Sequence, residues 1–210
     1  MMNFFETDLK PEFYKSNIHQ IIKRYHKKIV DNTEATQSKM DLFENSHHEI
    51  YQLFYSKEQL KIMEQEHNRA RILSSNAGRI FDEAVKFVIT NAEGGKSEYV
   101  SNPGGHPKKF EIDIINHNKK IGYEIKWRDA GTDGDHKAKE YRKVDIIKEM
   151  GYTPIRLTFF LPELPRSLKA QQEIIDYYKE HGRAYTGNDA FNFVNKMANI
   201  DLWSIIRSYA

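Results

Sequence analysis

The chain contains no cysteine in 210 residues, which removes disulfide frameworks and thiolate metal sites and fits a reducing cytosol. It has no apolar run of membrane-spanning length. The opening Met1-Met-Asn-Phe-Phe-Glu6 has neither a basic n-region nor an apolar h-region, so a cytoplasmic location is the expectation. Proline is missing between Pro11 and Pro103, which leaves room for long helices. Net charge is only +2 although 30% of residues are charged, with a pI of about 8.5. Overall charge therefore demands no nucleic-acid partner, and any DNA-binding field must come from local clustering. No GxxxxGK[ST] or GxGxxG phosphate loop is present, so no nucleotide cofactor is expected. The nine histidines, among them His47, His48, His106, His117 and His136, form no HExxH or paired Cys/His spacing, which argues against zinc catalysis.

The informative stretch lies between Phe110 and Trp127. Phe110-Glu-Ile-Asp-Ile-Ile-Asn116 and Ile121-Gly-Tyr-Glu-Ile-Lys-Trp127 are β-branched or aromatic at alternate positions, and both read as strands. In the second, Glu124 and Lys126 share one face, while Tyr123, Ile125 and Trp127 share the other. If His117 to Lys120 form the hairpin loop, Asp113 falls opposite Glu124, and cross-strand partners point the same way with Cβ atoms about 5 Å apart. Two carboxylates and an ammonium then converge. Paired acids repel and are costly to remove from water, so the patch calls for a cation. Magnesium suits it, as a hard ion that takes a few carboxylate oxygens, keeps waters and accepts phosphate oxygens. The chemistry this points to is metal-assisted phosphodiester hydrolysis, with Asp113 and Glu124 on the ion and Lys126 positioning water or neutralising charge on the phosphate.

Asp113 followed by Glu124-x-Lys126 resembles the signature of the PD-(D/E)XK nucleases, with Ile112 in place of the proline. The longer run Gly122 to His136 resembles type II restriction endonucleases, of the ApaLI-like branch. The motif-bearing resemblance covers roughly residues 75 to 161. It implies an α+β fold with an αβββαβ core, a mixed central sheet and helical flanks at both ends. It also implies an acid from the helix before the core strands, here Asp82 or Glu83. The implied metal ligands are Asp113, Glu124 and Ile125. The implied cofactor is Mg²⁺, with Mn²⁺ able to substitute and Ca²⁺ supporting binding without cleavage. The implied partners are double-stranded DNA and a second copy of the chain, since palindromic sites call for a two-fold dimer. The alternatives are a structure-selective nuclease of the resolvase or repair type, or a DNA-binding module with a vestigial site.

Apolar residues at helical spacing predict helices over 12–31 and 76–92, the latter with Ser74 or Ser75 as N-cap and Gly94-Gly95 as its end; residues 34–45 and 47–73 are polar-rich with apolar returns, and the whole N-terminal region reads as helical. A short strand at 98–101 precedes the loop Asn102-Pro-Gly-Gly-His-Pro107. A helix over 136–150, a buried strand at 153–160 and helices at 167–181, 188–198 and 200–208 follow. The expected division is a helical region at 1–74 packed on a catalytic core at 75–166, then C-terminal helices at 167–210. Glu111 shares the expected face of Asp113 and reads as an exposed strand residue more readily than as a third acid. His106-Pro-Lys108-Lys109 reads as a mobile basic loop suited to DNA phosphates. The segment from Lys137 through Lys139 to Lys143 reads as a second basic surface. Arg128, Asp129, Asp133, Asp135 and His136 leave the catalytic strand, where they can reach base edges. Asp133-Gly-Asp135 lacks the spacing of a calcium loop.

Overall fold

The structure is a computed structural model, and it describes residues 10–40, 54–103, 105–128 and 134–209, without the side chains of 36–40, 134 and 135. The expected helical residues 41–45 and 47–53, with His47 and His48, lie outside the described residues, as do Asp129 and Asp133 and the side chain of Asp135. The elements are α1 (Pro11–Met40), α2 (Lys57–Glu93), β1 (Lys96–Ser101), β2 (Lys109–Asn116), β3 (Ile121–Arg128), α3 (Gly134–Glu149), β4 (Thr153–Phe160), α4 (Pro165–His181), β5 (Arg183–Thr186), α5 (Asn188–Ala198) and α6 (Leu202–Arg207). Two compact units result: one of residues 1–18 with 82–210, the other His19–Phe81.

The first unit is built on a five-stranded sheet in the order β1-β2-β3-β4-β5. Strands β1, β2 and β3 are antiparallel neighbours, while β3, β4 and β5 run parallel. The antiparallel half needs only tight turns. The parallel half needs crossovers, which α3 and α4 supply. This is the mixed α+β architecture expected, with the helix–three strands–helix–strand order intact and one further strand. The extra strand is β5, whose four residues are too few for a period-two signal. The first unit's core holds Tyr14, Ile18, Val85, Val88, Ile89, Ile112, Ile114, Ile125, Leu157, Phe159 and Val194, all nearly inaccessible. No helix among the described residues is long and apolar enough to cross a membrane.

Two local features place the candidate site. The expected N-cap at Ser74 or Ser75 is absent, because α2 runs unbroken from Lys57 to Glu93. With no proline to stop it, a serine pair costs a helix little, and Asp82 and Lys86 therefore lie on one face a turn apart. The helix does end at Gly94 and Gly95, which have φ of +83° and +97°. A Cβ on Gly95 would come within 2.8 Å of both Ile114 Cγ2 and the Ile115 carbonyl, so the turn from α2 into β1 requires glycine.

The second feature is a bulge. Lys96 pairs with Ile115 but Glu98 pairs with Ile112, so Asp113 and Ile114 together oppose Ser97. One extra residue in β2 reverses its alternation. That is how Ile112 and Ile115, three apart, enter the same cluster with Phe110 and with Ile146 and Ile147 of α3. Asp113 sits in the bulge.

The second unit comprises the later part of α1 and the earlier part of α2. Its side chains Ile62, Met63 and Leu73 are about half exposed.

Candidate active site

Strand β3 carries Glu124 into the protein. Its side chain is 1% accessible, and the residue lies in register with Arg156 of β4. Taking a carboxylate out of water is costly unless cations meet it, and two do. Lys126 Nζ stands 2.7 Å and Lys143 Nζ 2.8 Å from the same Glu124 Oε1. The other oxygen, Oε2, is buried with no hydrogen-bond partner. Burial would raise the Glu124 pKa, but the two lysines outweigh it and hold the carboxyl below the usual range. For Lys126, burial opposes the charge. Glu124 and then Glu140 overcome it, and its pKa lies above the ordinary lysine value. The two carboxylates thus favour the ammonium form of Lys126, which donates hydrogen bonds.

Asp113 meets the site from the bulge. The β2–β3 ladder pairs Asn116 with Ile121, Ile115 with Gly122 and Ile114 with Tyr123. Continued by one step, that register sets Asp113 against Glu124, as the four-residue loop implied. The ladder stops there, and the Ile125 N–H donates at 2.8 Å to Asp113 Oδ2. Asp113 Oδ1 takes the Lys86 ammonium of α2 at 2.6 Å. Burial and the Glu124 charge raise the Asp113 pKa, against Lys86 and Lys126. Asp82, one turn before Lys86, has Oδ1 buried without a partner. Burial lifts its carboxyl to about 6. Asp113 adds to the rise and Lys86 and Lys126 oppose it, with a smaller lift from Glu124. These linked shifts place Asp82, Asp113 and Glu124 in one electrostatic field.

The remaining sequence candidates are distributed more widely. Glu83 lies beside Asp82 on α2, half-buried, and is not among the main charges acting on the Asp82 and Asp113 carboxyls. Glu111 is exposed and accepts from Ser97 Oγ at 2.8 Å, in keeping with its reading as a surface residue. The loop before β2 is closed by Asn102. Its backbone N–H reaches the Lys108 carbonyl, its Nδ2 the Pro107 carbonyl at 2.7 Å, and its Oδ1 accepts from Arg142 at 3.1 Å. Lys108 and Lys109 project from it, exposed, as does Arg128 at the end of β3. Lys137 is paired with Glu173 of α4, and His136 is half-buried at the start of α3. Lys143, expected on the DNA-facing surface, is instead turned inward onto Glu124. Lys86, Glu140 and Arg156 were not singled out by sequence reasoning. Lys86 stood at i+4 from Asp82, and Arg156 was an isolated charge inside an apolar strand, so both carried a signal.

A divalent cation is the group this kind of site implies. Among the described residues, no three His, Cys, Asp or Glu side chains converge tightly enough to hold one as they stand. The donor chemistry nevertheless fits. Two carboxylate oxygens, on Asp82 and Glu124, are buried and unclaimed, and Asp113 couples electrostatically to both residues. Unpaired buried carboxylate oxygens are costly, and hard oxygen donors of this kind favour Mg²⁺-like ions.

An α-helix, a bulged antiparallel hairpin and a parallel crossover, with an acid–x–lysine pair on the central strand, define a restriction-endonuclease-like fold. The chain belongs to the ApaLI-like restriction endonuclease family, whose model matches residues 9–210. It is thus placed among the nucleases. Neither a curated protein nor a solved structure matches it.

Proposed function

We propose that this protein is a Mg²⁺-dependent type II restriction endonuclease that makes double-strand cuts at a specific, palindromic DNA sequence by phosphodiester hydrolysis, acting as a homodimer in the cytoplasm. The observation that carries the reading is the pair of buried, partnerless carboxylate oxygens on Asp82 and Glu124, set beside Asp113 and the Lys126 ammonium. Asp113, Glu124 and Asp82 would hold the ion, with the backbone at Ile125 beside them. Asp82 is the better candidate than Glu83. When bound, Mg²⁺ supplies a water of lowered pKa and positive charge against the scissile phosphate, with Mn²⁺ able to substitute.

The protein's own groups do the rest. Lys126, fixed as an ammonium, neutralises charge that grows on the phosphate oxygens. Lys86 balances Asp113 until the acids are engaged. Lys108 and Lys109 hold backbone phosphates. Arg128, exposed at the end of the strand that carries Glu124 and Lys126, is placed to read a guanine edge through its fork of donors. Asp133, Asp135, His136 and Lys137 are the remaining residues we assign to DNA binding.

The test is incubation of the purified protein with phage and plasmid DNA in Mg²⁺. Discrete, reproducible fragments are expected. A smear would point to the structure-selective or non-specific alternative. Retained DNA binding with no cutting in Mg²⁺ or Mn²⁺ would refute the enzyme assignment.

A further inference from the structure

Behind the candidate active site lies a second carboxylate. Glu140 of α3 is 2% accessible, and its Oε1 stands 3.7 Å from Lys126 Nζ and 3.8 Å from Lys143 Nζ. The two ammoniums therefore each bridge the two glutamates: closely to Glu124, more loosely to Glu140. Glu140's other oxygen, Oε2, accepts from Arg156 Nη1 at 2.6 Å. Arg156 is wholly inaccessible. Its Nη2 donates to Gln171 Oε1 at 2.9 Å and its Nε to Thr158 Oγ1 at 3.2 Å, and it lies over the Tyr178 ring at 5.5 Å. Four elements thus fix the orientation of one carboxylate. A buried ion pair is weak evidence for stability, because apolar replacements of similar volume often serve as well or better. A reason other than stability is needed for keeping it beside Lys126.

We propose that Glu140 is a positioning residue for Lys126, anchored from behind by Arg156, and that it keeps the ammonium in line when Glu124 turns its charge to another partner. This rests on the assignment of Lys126 to the cleavage step. Without Glu140, Lys126 has only Glu124 to follow. With it, the ammonium has a second anion, itself held in place by Arg156. Because Arg156 takes one Glu140 oxygen and the lysines face the other, Glu140 itself is not a free ligand.

Three Glu140 variants and wild type decide the matter, each assayed for kcat, KM, DNA affinity without metal, thermal midpoint and the ¹⁵N ammonium signal of Lys126 in Ca²⁺, where Glu124 is drawn to the ion. Glu140→Gln should lower kcat by about 100-fold, the loss expected when a reacting group is misplaced by about 1 Å, with KM and DNA affinity unchanged. The Lys126 ammonium signal should broaden as its exchange with water quickens. Glu140→Asp keeps both charges and should recover part of the rate. Glu140→Gln alone strands the Arg156 guanidinium and can destabilise the fold. The double variant Glu140→Gln with Arg156→Met removes that charge, so it should melt near wild type and still show the kcat loss. Wild-type kcat and an unbroadened Lys126 signal in the double variant would overturn the proposal, leaving Glu140 as a counter-ion for Arg156 only. A defect confined to KM or DNA affinity would overturn it too. Failure of the parent reading looks different: Lys126→Ala would then cleave at the wild-type rate.

Discussion

Asp82→Asn offers the sharpest physical test of the acid cluster, because it should make the metal-free protein more stable rather than less. The Asp82 carboxyl is raised from 3.8 to about 6, chiefly by burial and then by Asp113. A pKa raised on folding means that the folded state holds its proton more tightly than the unfolded chain. The stability this gives is fully present below about pH 3.8 and is lost as pH rises to about 6, after which the deficit is constant. At about 1.36 kcal/mol per pH unit the deficit reaches about 3 kcal/mol. Asparagine has nearly the same shape and no charge, so at pH 8 it should recover much of that. For a chain of this size 1 kcal/mol moves the melting midpoint by about 2–4 °C, so a rise of about 5–10 °C is expected. Near pH 4 the two proteins should melt together. Added Mg²⁺ or Ca²⁺ should raise the wild-type midpoint, by offsetting the same repulsion, and should raise that of the variant less. The assay is a thermal melt in chelator and in divalent ion from pH 4 to 8. Equal midpoints for the two proteins at pH 8, with equal responses to the ion, would refute the placement of Asp82 in a charge-strained site.

Three further outcomes follow from other parts of the molecule. A methyl group on Gly122 would meet the buried Ile147 side chain at 3.0 Å, so Gly122→Ala should destabilise by about 1–3 kcal/mol, read as a lower urea midpoint; an unchanged midpoint would mean that α3 can shift away from β3. Replacing Lys108 and Lys109 with Ala should weaken binding to all DNA sequences alike and lower the slope of log affinity against log salt by about one for each phosphate no longer neutralised; an unaltered slope would place the DNA on another surface. Arg128→Ala should lose preference for the cognate site by about 10- to 100-fold, worth about 1–3 kcal/mol, while non-specific affinity falls less; equal loss on cognate and one-base-altered duplexes would make Arg128 a backbone contact.

The hairpin was legible because two apolar alternations and a four-residue polar loop leave one sensible register, and that register sets Asp113 against Glu124. The bulge at Asp113 was not legible, because it is defined by β1, whose pairing shifts between Lys96 and Glu98. Without the bulge, Asp113 reads as a simple neighbour of Glu124. With it, Asp113 also gains Lys86 from α2. Which acid of α2 faces the strands was not legible, because only spatial neighbours decide it; the structure sets Asp82 in the field of Asp113 and Glu124, and its assignment to the metal is a proposal. The basic run from Lys137 to Lys143 shows why charge counting fails locally. Lys137 is ion-paired with Glu173 at the surface, while Lys143 is turned inward onto Glu124. Helix α2 reads through Ser74 and Ser75 because serine signals a cap only where other contacts stop the helix.

Single-turnover cleavage of plasmid DNA by wild type, Asp113→Asn, Glu124→Gln and Lys126→Ala, each shown by circular dichroism to be folded, tests the proposed metal-dependent cleavage most directly. Wild type should cut in Mg²⁺, bind without cutting in Ca²⁺ and stop in chelator. The two acid variants should not cut, and Lys126→Ala should lose several orders of magnitude, because a group acting at the transition state is gone. Cleavage at the wild-type rate by Lys126→Ala, or by wild type stripped of divalent ions, would contradict it.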